Sequence, residues 1–339
     1  MEVYLQVINK VFEPYKMKLT SFPGNLPSTL THKEFFQIAF GYRFSLKANG
    51  FGNHFQILNG DCFLINRALQ VHKMGLFDIP SLYVFDVEWI PSNNLILLFD
   101  VLLFQSKSCI ALNYSQRVEL LRMFCHKYGT FQQTVNNSHF PTHQVKIQQY
   151  LVEPKPIYDS FGDIYEAWQH RYELPYPVDG IICTRDMACY TPFCMDPHTT
   201  LKWKDVHTLD FQIRPRDEIH PDSMLLAPDF CRQVSGNVGL YCLKDELTLF
   251  SYAWMQDTTP CVWMKDTTPC VGEFMWQNNH WVFMLYRPEK RTPNTWTTIA
   301  NILEAIEFPI SIENWNVSSS QGGSTSSSNK IKQQTQQSS

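Results

Sequence analysis

Lys47 lies at the centre of Ser45-Leu46-Lys47-Ala48-Asn49-Gly50-Phe51-Gly52, between apolar neighbours and a tight glycine turn. A lysine amine attacks as a nucleophile only after losing its proton, and desolvation eases that loss, so this stretch is a candidate for covalent chemistry. Taken singly, a lysine is ordinarily a solvated surface group; what sets Lys47 apart is the order of short motifs behind it. Asp86, Glu88 and Asp100 sit inside two strongly apolar segments, Leu82 to Ile90 and Leu95 to Phe104. An acid there must be solvated at a strand end, paired or bound to a metal, because burying it alone is costly. In Thr200-Leu201-Lys202-Trp203-Lys204 the period of a strand puts both lysines on one face. Such a pair is either functional or protection of a sheet edge against aggregation.

These residues need elements to hold them. Residues 1–20 read as a helix and a loop, and Phe22-Pro23-Gly24-Asn25-Leu26-Pro27-Ser28 is a turn-rich lead-in. Thr31-His32-Lys33-Glu34 has the form of a helix start, which predicts a helix over about 32–39. Tyr42 to Leu46, Phe55 to Leu58 and Asp61 to Ile65 read as short strands turning at Asn49-Gly50 and Asn59-Gly60. The two apolar strands that carry the acids, joined by Pro91-Ser92-Asn93-Asn94, should lie near the centre of a sheet. Residues 115–128 repeat apolar positions at three and four behind a capping serine and predict an amphipathic helix, with Asp159 to Tyr172 a second candidate. Val178-Asp179-Gly180-Ile181-Ile182-Cys183 reads as a turn into a buried strand.

After Phe211 the pattern changes to short strands: Leu225 to Leu226, Val238 to Leu243, Leu247 to Trp254, Gly272 to Trp276 and His280 to Tyr286. They suggest a small closed barrel of the OB type. Within it the nonapeptide at 254–262 recurs almost unchanged at 263–271, too short for a solenoid and read as a duplication that lengthens a loop. A helix over about 295–306 follows. Beyond Trp315 the chain is rich in Ser, Gln and Gly and is expected to be disordered.

With 339 residues and 44% hydrophobic content the chain can fill two cores. A net charge of −4 argues against a broad basic surface for duplex nucleic acid and leaves room for a local basic cleft. The N-terminus lacks the features of a signal peptide and no long apolar run occurs, so neither secretion nor membrane insertion is expected, and the ten cysteines read as free thiols. A metal site on Cys183, Cys189, Cys194 and His198 is disfavoured, since gaps of six, five and four contain no CxxC pair.

Taken in order, these motifs resemble those of covalent nucleotidyltransferases, and specifically the mRNA-capping guanylyltransferases. Lys47-Ala48-Asn49-Gly50 resembles the family's K-x-D-G, and Asp86-Val87-Glu88 and Leu97-Leu98-Phe99-Asp100-Val101 its next two motifs. Val178-Asp179-Gly180-Ile181-Ile182 and Leu201-Lys202-Trp203-Lys204, with Asp210-Phe211 after it, resemble the following two. Arg287-Pro288-Glu289-Lys290 with Pro293-Asn294 resembles the last, which separates capping enzymes from the ligases that share the others. Phe22-Pro23-Gly24 and Asn66-Arg67-Ala68 are further landmarks. Asn49 stands where the family has an aspartate, Gly52 where it has an arginine, and Glu289 where it has an aspartate.

The resemblance implies an α+β fold, with a nucleotidyltransferase domain of antiparallel sheets and flanking helices over 1–210 and an OB-fold barrel over 211–292. The last motif and helix fill 293–314, ahead of the tail at 315–339. It further implies that Lys47 takes GMP from GTP and passes it to 5′-diphosphate RNA, with magnesium or manganese. Asp179 would position the metal or the nucleophile, Lys202, Lys204 and Arg67 would supply cations, and Glu88 would contact the ribose. Arg287 and Lys290 would reach the outer phosphates on closure. An ATP-dependent polynucleotide ligase is the alternative within the superfamily, and a degenerate nucleotide- or RNA-binding module is the one that Asn49 and Gly52 motivate. Separate RNA triphosphatase and cap methyltransferase proteins, and RNA polymerase, are the partners implied. The setting implied is the nucleus, or a cytoplasmic site of viral transcription.

Overall fold

Alternation of apolar and polar residues shapes most of the chain into strands, and a computed structural model shows how they pair. It describes residues 2–13, 16, 22–77, 79, 81–128, 130–132, 142–147, 150–194, 196, 198–215, 225–256, 270–288 and 290–316. In chain order the first elements are α1 (Glu2–Val11), β1 (Ser28–Thr29), α2 (His32–Phe35), β2 (Tyr42–Ala48), β3 (Phe51–Leu58), β4 (Asp61–Asn66) and β5 (Val71–Leu76). Next come β6 (Tyr83–Ile90), β7 (Leu95–Phe104), β8 (Lys107–Ser108), α3 (Tyr114–Tyr128), β9 (Thr130–Gln132), β10 (Thr142–Ile147), β11 (Tyr150–Pro154) and α4 (Phe161–Gln169). The last are β12 (Val178–Arg185), β13 (Thr200–Lys204), β14 (Thr208–Pro215), β15 (Val238–Leu243), β16 (Leu247–Ala253), β17 (Val271–Gln277), β18 (His280–Tyr286) and α5 (Trp296–Glu307).

Three sheets result. The first has the order β1-β13-β12-β2, the second β5-β4-β3-β6-β7-β11-β10-β9 with β8 on β7, and the third β16-β15-β14-β17-β18. Pairing is antiparallel except for β1 with β13 and β11 with β7. The fold is thus α+β with flanking helices, as expected, and the acid-bearing strands β6 and β7 are central in their sheet. The turn from β2 to β3 passes the chain from the first sheet to the second at Asn49-Gly50, beside Lys47. Among the described residues no helix is long and apolar enough to cross a membrane.

Several expectations need correction. The helix over 32–39 is a single turn, because beyond Phe35 the N–H of Gln37 bonds Glu34 in the tighter three-residue pattern and Gly41 turns left-handed at φ 78°. Leu225 and Leu226 form no strand; the fifth strand of the third sheet is β14, where Leu209, Phe211 and Ile213 alternate into the core. That sheet has no hydrogen-bonded closure among the described residues, although its edge strands β16 and β18 approach each other. Most of the duplicated nonapeptide and the tail from 317 lie outside the described residues.

After α5 the chain returns to the first sheet. Trp203 Nε1 donates to the Ile310 carbonyl at 2.7 Å, and Trp315 is fully buried among Phe35, Phe44, Phe161 and Trp203. Emptying such a site leaves a cavity with few atoms free to refill it. Trp315→Ala should therefore lower stability by about 3–5 kcal/mol in urea denaturation; a loss under about 1 kcal/mol would show that this segment is not docked.

Candidate active site

The site is built on a bulge. Val178 pairs with Ala48 and Gly180 with Lys47, so Asp179 is an extra residue without a partner on β2, a device that re-aims a side chain. Its carboxylate takes Lys47 Nζ on Oδ1 at 2.7 Å and Lys204 Nζ on Oδ2 at 2.8 Å. Burial pushes the Asp179 carboxyl up, but the two lysines outweigh that and hold it below the usual range. Gly180 is needed beside it, since a Cβ there would lie 2.1 Å from the Trp203 carbonyl oxygen. Asn49, exposed at the corner, donates its backbone N–H to Pro177 at 2.9 Å.

Lys202 is one pair further along β13, opposite Ile182. Burial pushes its amine down to about 8, and Lys204, Lys47 and Lys290 push the same way. Glu88 accepts the Gly50 N–H at 3.0 Å; burial raises its carboxyl while Lys155, Lys47 and Arg67 pull it down. A Cβ on Gly50 would meet Trp89 O at 2.7 Å, which keeps the corner for glycine. The Arg67 guanidinium lies against Gly52, where a Cβ would stand 3.3 Å from its Nη2. An arginine at position 52 would contend for that space.

The sequence reading missed two members. Lys155, just past β11, is 8% exposed; burial pushes its amine down to about 8, with Lys47 adding to the push and Glu88 and Asp179 opposing it. Its Nζ lies 5.5 Å from the Phe99 ring centroid. No periodicity flags it; the only signal is a lysine between prolines at the end of an apolar strand. His207, between β13 and β14, is held down to about 4 by burial and by Lys204 and Lys202, so it is neutral at pH 7.

Other expected residues stand apart. Asp86 accepts the Tyr190 hydroxyl and lies 3.4 Å from His54 Nε2, while Asp100 pairs with Arg117 at 2.7 and 3.0 Å, so both acids are buried and paired within the fold. Arg287 and Lys290 sit on the third sheet. Arg287 Nη1 donates to Glu273 at 2.9 Å and Lys290 Nζ pairs with Asp210; Glu289 between them lies outside the described residues. Among the described residues no three His, Cys, Asp or Glu side chains converge as a metal site. Asp179 is the carboxylate that would hold a magnesium ion arriving with phosphates, which keeps several waters and needs only one or two protein carboxylates, and it would have to give up Lys47 or Lys204 to do so.

The group of amines around Asp179 can therefore attract a polyanion beside Lys47. Lys202 and Lys155 carry charge below about pH 8 and lose it above. Calorimetric affinity for inorganic tripolyphosphate should fall as pH rises through 8, by up to about tenfold per pH unit for each proton the complex takes up. An affinity unchanged from pH 7 to 9 would exclude these amines from the anion site.

Residues 206–315 match the family model described as mRNA capping enzyme, C-terminal domain. No curated protein matches the chain. Among solved structures it is similar to a mycobacterial DNA ligase D complexed with ATP and MES, with 12% identity, 80% of this chain and 95% of that one covered, and a TM-score of 0.39. The ligase domain of M. tuberculosis LigD is similar at 13% identity, with 78% and 94% covered and a TM-score of 0.35. Likeness that distant decides nothing about substrate. The resemblance to capping-type covalent nucleotidyltransferases, read from the order of motifs, is borne out by the family model over the last third of the chain.

Proposed function

We propose that the protein is an mRNA guanylyltransferase, and the observation that carries this is the Lys47–Asp179–Lys204 contact at the cleft, backed by Lys202 and Lys155. Lys47 Nζ attacks the α-phosphorus of GTP; a nitrogen–phosphorus bond forms, the bond to the β-phosphate oxygen breaks, and pyrophosphate leaves. Asp179, at 2.7 Å, is the nearest acceptor for the proton the amine must lose. The terminal phosphate oxygen of 5′-diphosphate RNA then takes GMP and frees the lysine. In this reading Lys202, Lys204 and Arg67 offset charge on the phosphates, and Glu88 contacts the ribose. A magnesium or manganese ion, when bound at Asp179, would add Lewis-acid stabilisation of that charge.

Residues 1–210 are the nucleotidyltransferase unit in this reading, and the third sheet brings Arg287 and Lys290 over the β- and γ-phosphates. The partners proposed are RNA triphosphatase and cap methyltransferase activities and RNA polymerase, in the nucleus or at a cytoplasmic site of viral transcription.

Incubation with labelled GTP and magnesium should give an acid-stable, covalently labelled band that Lys47→Arg removes. Labelling by ATP instead would place the protein with the ligases. No label from either nucleotide, with binding intact, would leave a nucleotide-binding module.

A further inference from the structure

Asp210 on β14 and Glu273 on β17 face each other directly across an antiparallel pair. Like charges so placed repel, and a sheet keeps them only with cations between them. Here Arg287 Nη1 lies 2.9 Å from Glu273 Oε2 and 3.4 Å from Asp210 Oδ1, and Lys290 Nζ pairs with Asp210 Oδ2.

The two acids differ in how they are held. Asp210 is 7% exposed and locked through its backbone, donating its N–H to Asn294 Oδ1 at 2.7 Å and accepting the Asn294 N–H at 2.8 Å. Removing its charge would disturb the frame. Glu273 has a longer, more exposed side chain, with one oxygen on the Thr208 hydroxyl and the other on Arg287. Its carboxylate can leave the guanidinium without disturbing the backbone.

We propose that Glu273 is an internal competitor for anions: its carboxylate occupies the Nη1 donor of Arg287 that a pyrophosphate group would take, and yields it when such an anion binds. Identifying that anion with the outer phosphates of GTP, or with released pyrophosphate, rests on the proposed function; the exchange itself does not. The carboxylate thereby weakens the grip on pyrophosphate and favours its departure. Carboxylate and phosphate oxygens both accept from a guanidinium N–H, so one can replace the other at Nη1 with little rearrangement.

Calorimetric titration of the full chain with inorganic pyrophosphate tests this. Glu273→Gln should bind roughly three- to tenfold more tightly than the wild type, in keeping with a partly exposed ion pair. In an Arg287→Ala background the same change should add nothing. Glu273→Asp, which keeps the charge but withdraws it by a methylene, should shift affinity in the same direction and serves if the glutamine variant does not fold. Equal or weaker binding by Glu273→Gln, binding by neither protein, or an undiminished gain without Arg287 would each overturn the proposal. Failure of the wild type to form a GMP adduct would bear on the proposed function alone and leave this comparison standing.

Discussion

Four lysines are drawn toward one half-buried space, and the carboxylate of Asp179 makes that tolerable. Two like charges at about 4 Å repel by about 4 kcal/mol at the effective dielectric of a protein surface, so Lys47 and Lys204 can share a locality only with an acid between them. Asp179 takes one on each oxygen. Among the described residues Lys155 and Lys202 form no ion pair, and burial, with the neighbouring lysines, eases the loss of their protons. The cluster is short of negative charge by construction, which suits a polyanionic ligand better than any neutral one.

That arrangement depends on backbone more than on side-chain packing. A regular register on β12 would pair Asp179 with the neighbouring strand and turn it to the sheet's other face; the bulge moves it into position. Gly180 then lets β13 come close enough for Lys204 to reach it, and Gly50 lets the corner settle on β6 so that Glu88 holds the turn. Substituting either glycine would strike at the site through spacing rather than chemistry.

What was legible in the sequence followed from local rules. The strands from Tyr42 to Phe104 and the helix near 115–128 carry a period that the structure realises, and Lys47, Lys202 and Lys204 each fall in a motif. Lys155 was hidden because its role comes from burial across a sheet, beside Glu88 and Lys47 far away in the chain. The pairing of Asp86 and Asp100 was open for the same reason, since His54, Tyr190 and Arg117 are remote in sequence. The expected helix after Thr31 stops after one turn: Phe35 and Ile38 are buried in the core of the first sheet, but Phe36 and Phe40 are 70% and 89% exposed, so a longer helix would gain little further burial.

The return of the chain after α5 sets how the cleft can move. The first and third sheets are joined directly between β13 and β14, and again through the segment that ends on Trp203 and Trp315. Two links, one covalent and one packed, restrain how far the two sheets can separate, so the later residues Arg287 and Lys290 stay tethered to the part of the chain that carries Lys47.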